Sequence, residues 1–297
     1  MPRIDLPDPS IIFTNKSDTV AGSSDGAVYG IISSGGVDTL GGNDTLTGTG
    51  TESFSYGIYT QGSLDTSGGN DTVTGTGNNP NSIGIFLDSG ALLDTGGGND
   101  KIDGTANFGT GIFLNAGGTA INTGAGNDAV MGKSVTGTGI DVNDGTLDTG
   151  DGNDRIDGTG IAAINLVTGG AIRTGNGNDT INGGIQNFGG TVETGAGNDT
   201  VDARDGGFSG TGTTNLGAGN DDLIGFGSGL FKGGGGKDTL ELTPGTYTVD
   251  RSGTTVSFKE DGFLGATMVT SEFEKLVAGD EQYDFASLSD GQEIFIA

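Results

Sequence analysis

Nine aspartates occupy one recurring place in this chain: Asp44, Asp71, Asp100, Asp128, Asp154, Asp179, Asp199, Asp221 and Asp238. The first eight follow a glycine turn and an asparagine, as in TGAGND at 123–128, and Asp238 closes the variant GGGGKD. An Asn-Asp pair can be plain turn punctuation, since both side chains bond nearby backbone and tolerate left-handed geometry. A repeated pair is a different matter. If the copies stack, their carboxylates stand roughly 4.8 Å apart. Unit charges at that spacing repel by about 1 kcal/mol in water and about 3.5 kcal/mol at an effective dielectric of 20. Asn, Ser or Gly would make the turn without that repulsion. Carboxylates beside the converging carbonyls of glycine turns form an oxygen cage, the donor set of a hard divalent cation such as Ca²⁺.

The elements that must position these groups recur with the same period. Successive aspartates are 27, 29, 28, 26, 25, 20, 22 and 17 residues apart, a solenoid spacing that shortens toward the C-terminus as a tapering cross-section would. Each period holds three short strand signals separated by turn residues. The first aligns Ile31, Ile58, Ile85, Ile112, Ile140 and Ile164, with Leu87, Leu114, Val142 and Leu166 two residues on from their partners. The second, before the glycine turn, aligns Val37, Leu64, Leu93, Ile121, Leu147, Ile172 and Val192. The third, after it, aligns Leu46, Val73, Ile102, Val130, Ile156, Ile181, Val201, Leu223 and Leu240. Period-two alternation turns each column inward, and three inward columns close a core. The sequence therefore predicts an all-β chain: a right-handed parallel β-helix, or β-solenoid, of about nine turns with a C-terminal β cap. The expected division is an N-terminal cap or arm at 1–24, the solenoid at 25–242 and a C-terminal cap at 243–297.

Composition narrows the function classes. The 297 residues include 64 Gly but only 5 Pro and no Gly-X-Y triplet pattern, which excludes collagen. Thirty-nine acidic against twelve basic residues give a net charge of −27, which repels nucleic acid and anionic membrane surfaces and attracts cations. With no Cys, there are no disulfides, thiolate metal sites or cysteine nucleophiles. No stretch reaches the length of an apolar membrane span, and the N-terminus lacks the apolar core of a cleaved signal.

The stretch GGGGKDTLE (233–241) matches the calcium-binding nonapeptide GGxGxDxUx, and TGAGNDTVD (194–202) and LGAGNDDLI (216–224) are close to it. The repeat thus resembles RTX, or hemolysin-type, calcium-binding repeats, in the long-period form of bacterial and notably cyanobacterial surface and secreted proteins. The resemblance implies calcium held by the motif's aspartate and turn carbonyls. Here those would be Asp71, Asp100, Asp128, Asp154, Asp179, Asp199, Asp221 and Asp238, with backbone oxygens of Gly96, Gly98, Gly124, Gly126, Gly150, Gly152, Gly175, Gly177, Gly195, Gly197, Gly217, Gly219, Gly233 and Gly235. RTX motifs recur every nine residues, whereas one motif per turn occurs here, so the likeness is to the turn and not to the whole roll. Leu40 and Ser67 replace a motif glycine in the first two copies, which makes those the weakest sites. The ending SDGQEIFIA (289–297) resembles the uncleaved C-terminal signal of type I secreted RTX proteins, although an ordinary last strand of the cap reads equally well.

Other features point to partners. Ile32, Tyr59, Phe86 and Phe113 fall on the outer side of the first strands as an apolar ladder, a candidate surface for a second copy or for sugar rings, or one covered by the N-terminal segment. Asp38, Asp65 and Asp94 form a second acidic row, ordinary for a solvated face. Catalysis is not expected: there is no His, only five Arg, and no long insertion that would wall a cleft. The expected function is a calcium-binding, extracellular or cell-surface structural or adhesive protein that folds on Ca²⁺ binding and self-assembles. The alternative is a polysaccharide-binding or polysaccharide-processing β-helix.

Overall fold

Each period folds as one coil of three short strands, because a strand carrying one or two inward aliphatic side chains cannot bury them alone and must pair with its counterpart a turn away. A computed structural model of the chain describes residues 3–6, 11–24, 28–261 and 266–297. It is a parallel β-solenoid of three sheets with nine, thirteen and twelve strands.

The three aliphatic columns are in register as the periodicity predicts. In the first sheet Ile31, Ile58, Ile85, Ile112, Ile140 and Ile164 are successive partners. Leu64, Leu93, Ile121 and Leu147 stack in the second, and Val73, Ile102, Val130 and Ile156 in the third. All are sealed from solvent. Full burial of each such side chain stabilises by about 1.5–3 kcal/mol.

Glycine also shapes the cross-section away from the corners. A Cβ at Gly48 in the third sheet would lie 2.1 Å from the carbonyl oxygen of Gly57 in the first, so the two sheets meet backbone to backbone. Farther along, the third-sheet strands shorten from Lys101–Ala106 to Thr180–Asn182, which is where the shorter periods lose their residues.

Both ends differ from the expected division. Ile4–Leu6 pairs in parallel with Ile31–Ser33, and Thr19–Ser23 with Thr45–Thr49, so the segment read as an N-terminal cap adds one strand to the first sheet and one to the third, while among the described residues the second sheet begins at Val37. At the other end, Gly245–Ser252 and Thr255–Glu260 form the antiparallel hairpin of a cap. The chain then re-enters the solenoid: Thr267–Ser271 and Lys275–Ala278 add parallel strands to the second and third sheets. Glu293–Ile296 closes against Gly245–Thr248, with Ile294 and Ile296 buried and Phe295 exposed. Among the described residues no helix is long and apolar enough to cross a membrane.

Candidate metal centre

The Asp-bearing corner runs from the end of a second-sheet strand to the start of a third-sheet strand, as in Thr123–Asp128. Its first glycine is left-handed (Gly124, φ +90°) and so is its second (Gly126, φ +148°). A Cβ on Gly126 would fall 1.5 Å from the carbonyl oxygen of Gly98 one turn below, so stacking itself demands glycine there. Leu40 and Ser67 occupy the first-glycine position with φ of 64° and 62°.

The Asn-Asp pair serves two ladders that run in opposite directions. Each Asp Oδ1 accepts the backbone N–H of the aspartate one turn earlier: Asp100 from Asp71 at 2.7 Å, Asp128 from Asp100 at 2.7 Å, Asp154 from Asp128 at 2.8 Å, and on to Asp238. Each Asn Oδ1 accepts from the turn after it: Asn99 from Asn127 at 2.7 Å and Asn127 from Asn153 at 2.7 Å. Two amides that the sheets cannot reach are thus satisfied at every corner. Turn punctuation is therefore part of what Asn-Asp does. The Asp ladder extends beyond the nine motifs, because Asp18 donates its N–H to Asp44 at 2.8 Å and Asp238 donates to Glu274 Oε2 at 2.7 Å. Neither Asp18 nor Glu274 stands in a glycine motif, and the sequence reading missed both.

The second carboxylate oxygen separates the copies. Asp44 Oδ2 accepts the Thr39 hydroxyl, and Asp71 Oδ2 accepts that of Thr66 at 2.8 Å. In Asp100, Asp128, Asp154, Asp179, Asp199, Asp221 and Asp238, Oδ2 is buried with no hydrogen-bond partner among the described residues. An uncompensated buried oxygen of this kind costs about 1–3 kcal/mol, and more when charged. Burial accordingly pushes Asp100 and Asp199 up to about 6 and Asp154 and Asp221 up to about 7. Asp71, Asp128, Asp179 and Asp238 are raised for the same reason.

The glycine oxygens named from the sequence fall into two sets. Those of Gly96, Gly124, Gly150, Gly175 and Gly195 each accept an N–H from the next turn. Those of Gly98, Gly126, Gly152, Gly177 and Gly197 accept no backbone N–H among the described residues. Gly217 and Gly219 pair in register with Gly234 and Gly236. Gly233 and Gly235 are therefore a correction: they sit one residue out of register, and the left-handed pair in that copy is Gly234 and Gly236. No three acidic side chains converge on a point among the described residues. With one carboxylate per turn, an ion here would be shared between side-chain and backbone oxygens. The donor set is all oxygen, and its unpartnered buried members fit a hard cation.

Sequence reasoning placed the aromatic ladder on the right side of the sheet but misjudged its exposure. Tyr59 and Phe86 are buried (7 % and 8 % exposed), and only Ile32 and Phe113 are partly open. The rings cover one another: Tyr59 stacks on Phe86 at 5.4 Å, Tyr29 on Tyr56 at 5.5 Å, and Tyr56 packs against Phe86 at 5.0 Å. On the outer face of the third sheet lies a hollow of about 580 Å³, lined among others by Lys133, Arg155, Asp157, Asn182, Asp202 and Arg204. No protein-family model matches the chain, and the comparison with curated proteins gave no match either.

Proposed function

We propose that this protein is a calcium-binding β-solenoid whose stacked corners are completed by Ca²⁺, and that it serves as an extracellular or cell-surface structural or adhesive element. What supports this is one observation: seven buried carboxylate oxygens without a donor, in a single row along the axis. Asp100, Asp128, Asp154, Asp179, Asp199, Asp221 and Asp238 would hold the ions together with the free second-glycine carbonyls. Bound calcium supplies positive charge where these oxygens have none. The chain's own residues do the rest: Oδ1 and the Asn ladder hold the corners in register, and glycine lets them approach. Release of the chain to the outside of the cell belongs to the same proposal. So does association of rods through their ends or faces. The test is the metal content of protein dialysed against calcium and then against metal-free buffer. Several retained equivalents per chain support the proposal, and none refutes it.

The third-sheet hollow favours a second reading. Six of the chain's twelve basic residues lie on that face or at its edge (Lys101, Lys133, Arg155, Arg204, Lys237 and Lys275), interleaved with Asp103, Asp157, Asp202 and Glu241. Alternating donors and acceptors suit the hydroxyls of a polysaccharide. Binding to a glycan array that Arg155→Ala with Arg204→Ala abolishes would establish it, whereas an unchanged profile in the double variant would exclude this hollow.

A further inference from the structure

We infer that the nine corners do not share the calcium demand equally: Asp44 and Asp71 close without an ion, and only the seven corners from Asp100 to Asp238 require one. This rests on the calcium reading above and concerns which copies load.

The division comes from the residue five places before each aspartate. At Thr39 and Thr66 the hydroxyl donates to Oδ2 of its own corner, so the carboxylate is complete. At Thr123, Thr174 and Thr194 the hydroxyl bonds instead to the carbonyl of the next turn, at 3.1, 3.0 and 2.6 Å; Thr95 and Thr149 reach that carbonyl only at 3.5 Å, as Thr66 does, but without the bond to Oδ2 that Thr66 makes. A hydroxyl has one proton, and in these five corners Oδ2 has no partner in hydrogen-bond geometry; the nearby hydroxyl eases its charge, but burial outweighs that relief. For Asp221 and Asp238 the position holds Leu216 and Gly233, which carry no hydroxyl at all. These seven are the carboxylates whose Oδ2 has no hydrogen-bond partner among the described residues.

A second observation divides the chain at the same place. The two corners with a satisfied Oδ2 are also the two that carry a side chain at the first-glycine position, Leu40 and Ser67. From Gly96 onward that position is glycine, with the left-handed corner repeated at Gly124, Gly150, Gly175, Gly195, Gly217 and Gly234. The early turns are thus built as self-sufficient corners, and they sit at the end of the rod where Thr19–Ser23 begins the third sheet. In metal-free protein they would remain ordered as a stub on which the later turns assemble.

Calorimetric titration of the metal-free full chain with calcium tests this directly. Wild type is expected to bind no more than seven equivalents. Asp128→Asn and Asp221→Asn should each lose at least one equivalent, and Asp71→Asn should lose none. Loss of an equivalent in Asp71→Asn, or nine equivalents in wild type, would overturn the division while leaving calcium binding intact. A wild type that binds none removes the metal reading and this division together. Amide exchange on wild type needs no variant. In EGTA, protection should persist in Thr45–Gly50 relative to Arg155–Thr159 and Thr200–Asp202, and equal loss in all three would contradict the inference.

Discussion

An asparagine in place of Asp128 would keep the Oδ1 acceptor for Asp100 and replace the partnerless Oδ2 with an amide that donates. The two metal states should therefore respond with opposite sign. In chelator, Asp128→Asn is expected to raise the weak β signal above that of wild type, because a desolvated oxygen that opposes stacking is relieved. In calcium the same variant should be less stable than wild type, and circular dichroism in chelator with denaturant melts in calcium checks the pair of signs. Acidity acts on the same oxygens. Their folded pKa values lie above the ordinary carboxylate range, so the native chain holds protons that the unfolded chain has released. That stabilisation is complete below about pH 4 and is lost as pH rises through about 6 to 7. Metal-free protein should hold more β structure near pH 5 than near pH 8, the reverse of a chain whose carboxylates are paired. A circular-dichroism β signal that climbs with pH in chelator would show that Oδ2 already has a partner.

At the scale of the element, each turn contacts only its neighbours, and its registers repeat. Deleting 129–154 would join Asp128 to Arg155 and set Lys101–Ala106 directly beside Arg155–Thr159, with Ile102 on Ile156. The shortened rod should fold with unchanged β content per residue and should lose its share of calcium, as nearest-neighbour stability requires. A deletion of half that length would place inward residues outside, and loss of folding is expected on circular dichroism. The columns that make this possible were legible in the sequence, because Ile, Val and Leu at a fixed offset from each glycine turn name both the face and the register. Other features were not. Thr19–Ser23 and Asp18 join the third sheet and the aspartate ladder without any glycine corner to announce them, so 1–24 read as a separate arm. A run of four glycines offers no landmark, and Gly233 and Gly235 were placed one residue off. Alternation showed that Tyr59 and Phe86 face outward, but it carries no information about lateral cover by neighbouring rings. The hydroxyl choice that separates Thr66 from Thr123 is a matter of rotamer and spacing, which residue type alone does not encode.

For the whole molecule, two large terms oppose folding. Sixty-four glycines enlarge the entropy of the unfolded chain, and a charge of −27 makes its compact form repel itself. The core answers with the aliphatic columns of three sheets, two of them in the first sheet, and its axial row of buried acidic oxygens adds to the repulsion. Calcium bound only by stacked corners would contribute its binding free energy to folding. The most direct measurement of that coupling is the far-ultraviolet circular dichroism of one metal-free sample titrated with calcium to millimolar concentration. The account predicts a weak β signal in chelator, from the N-terminal turns alone, that grows cooperatively to a full β spectrum and reverses with EGTA. A full β spectrum in chelator that calcium leaves unchanged would contradict it.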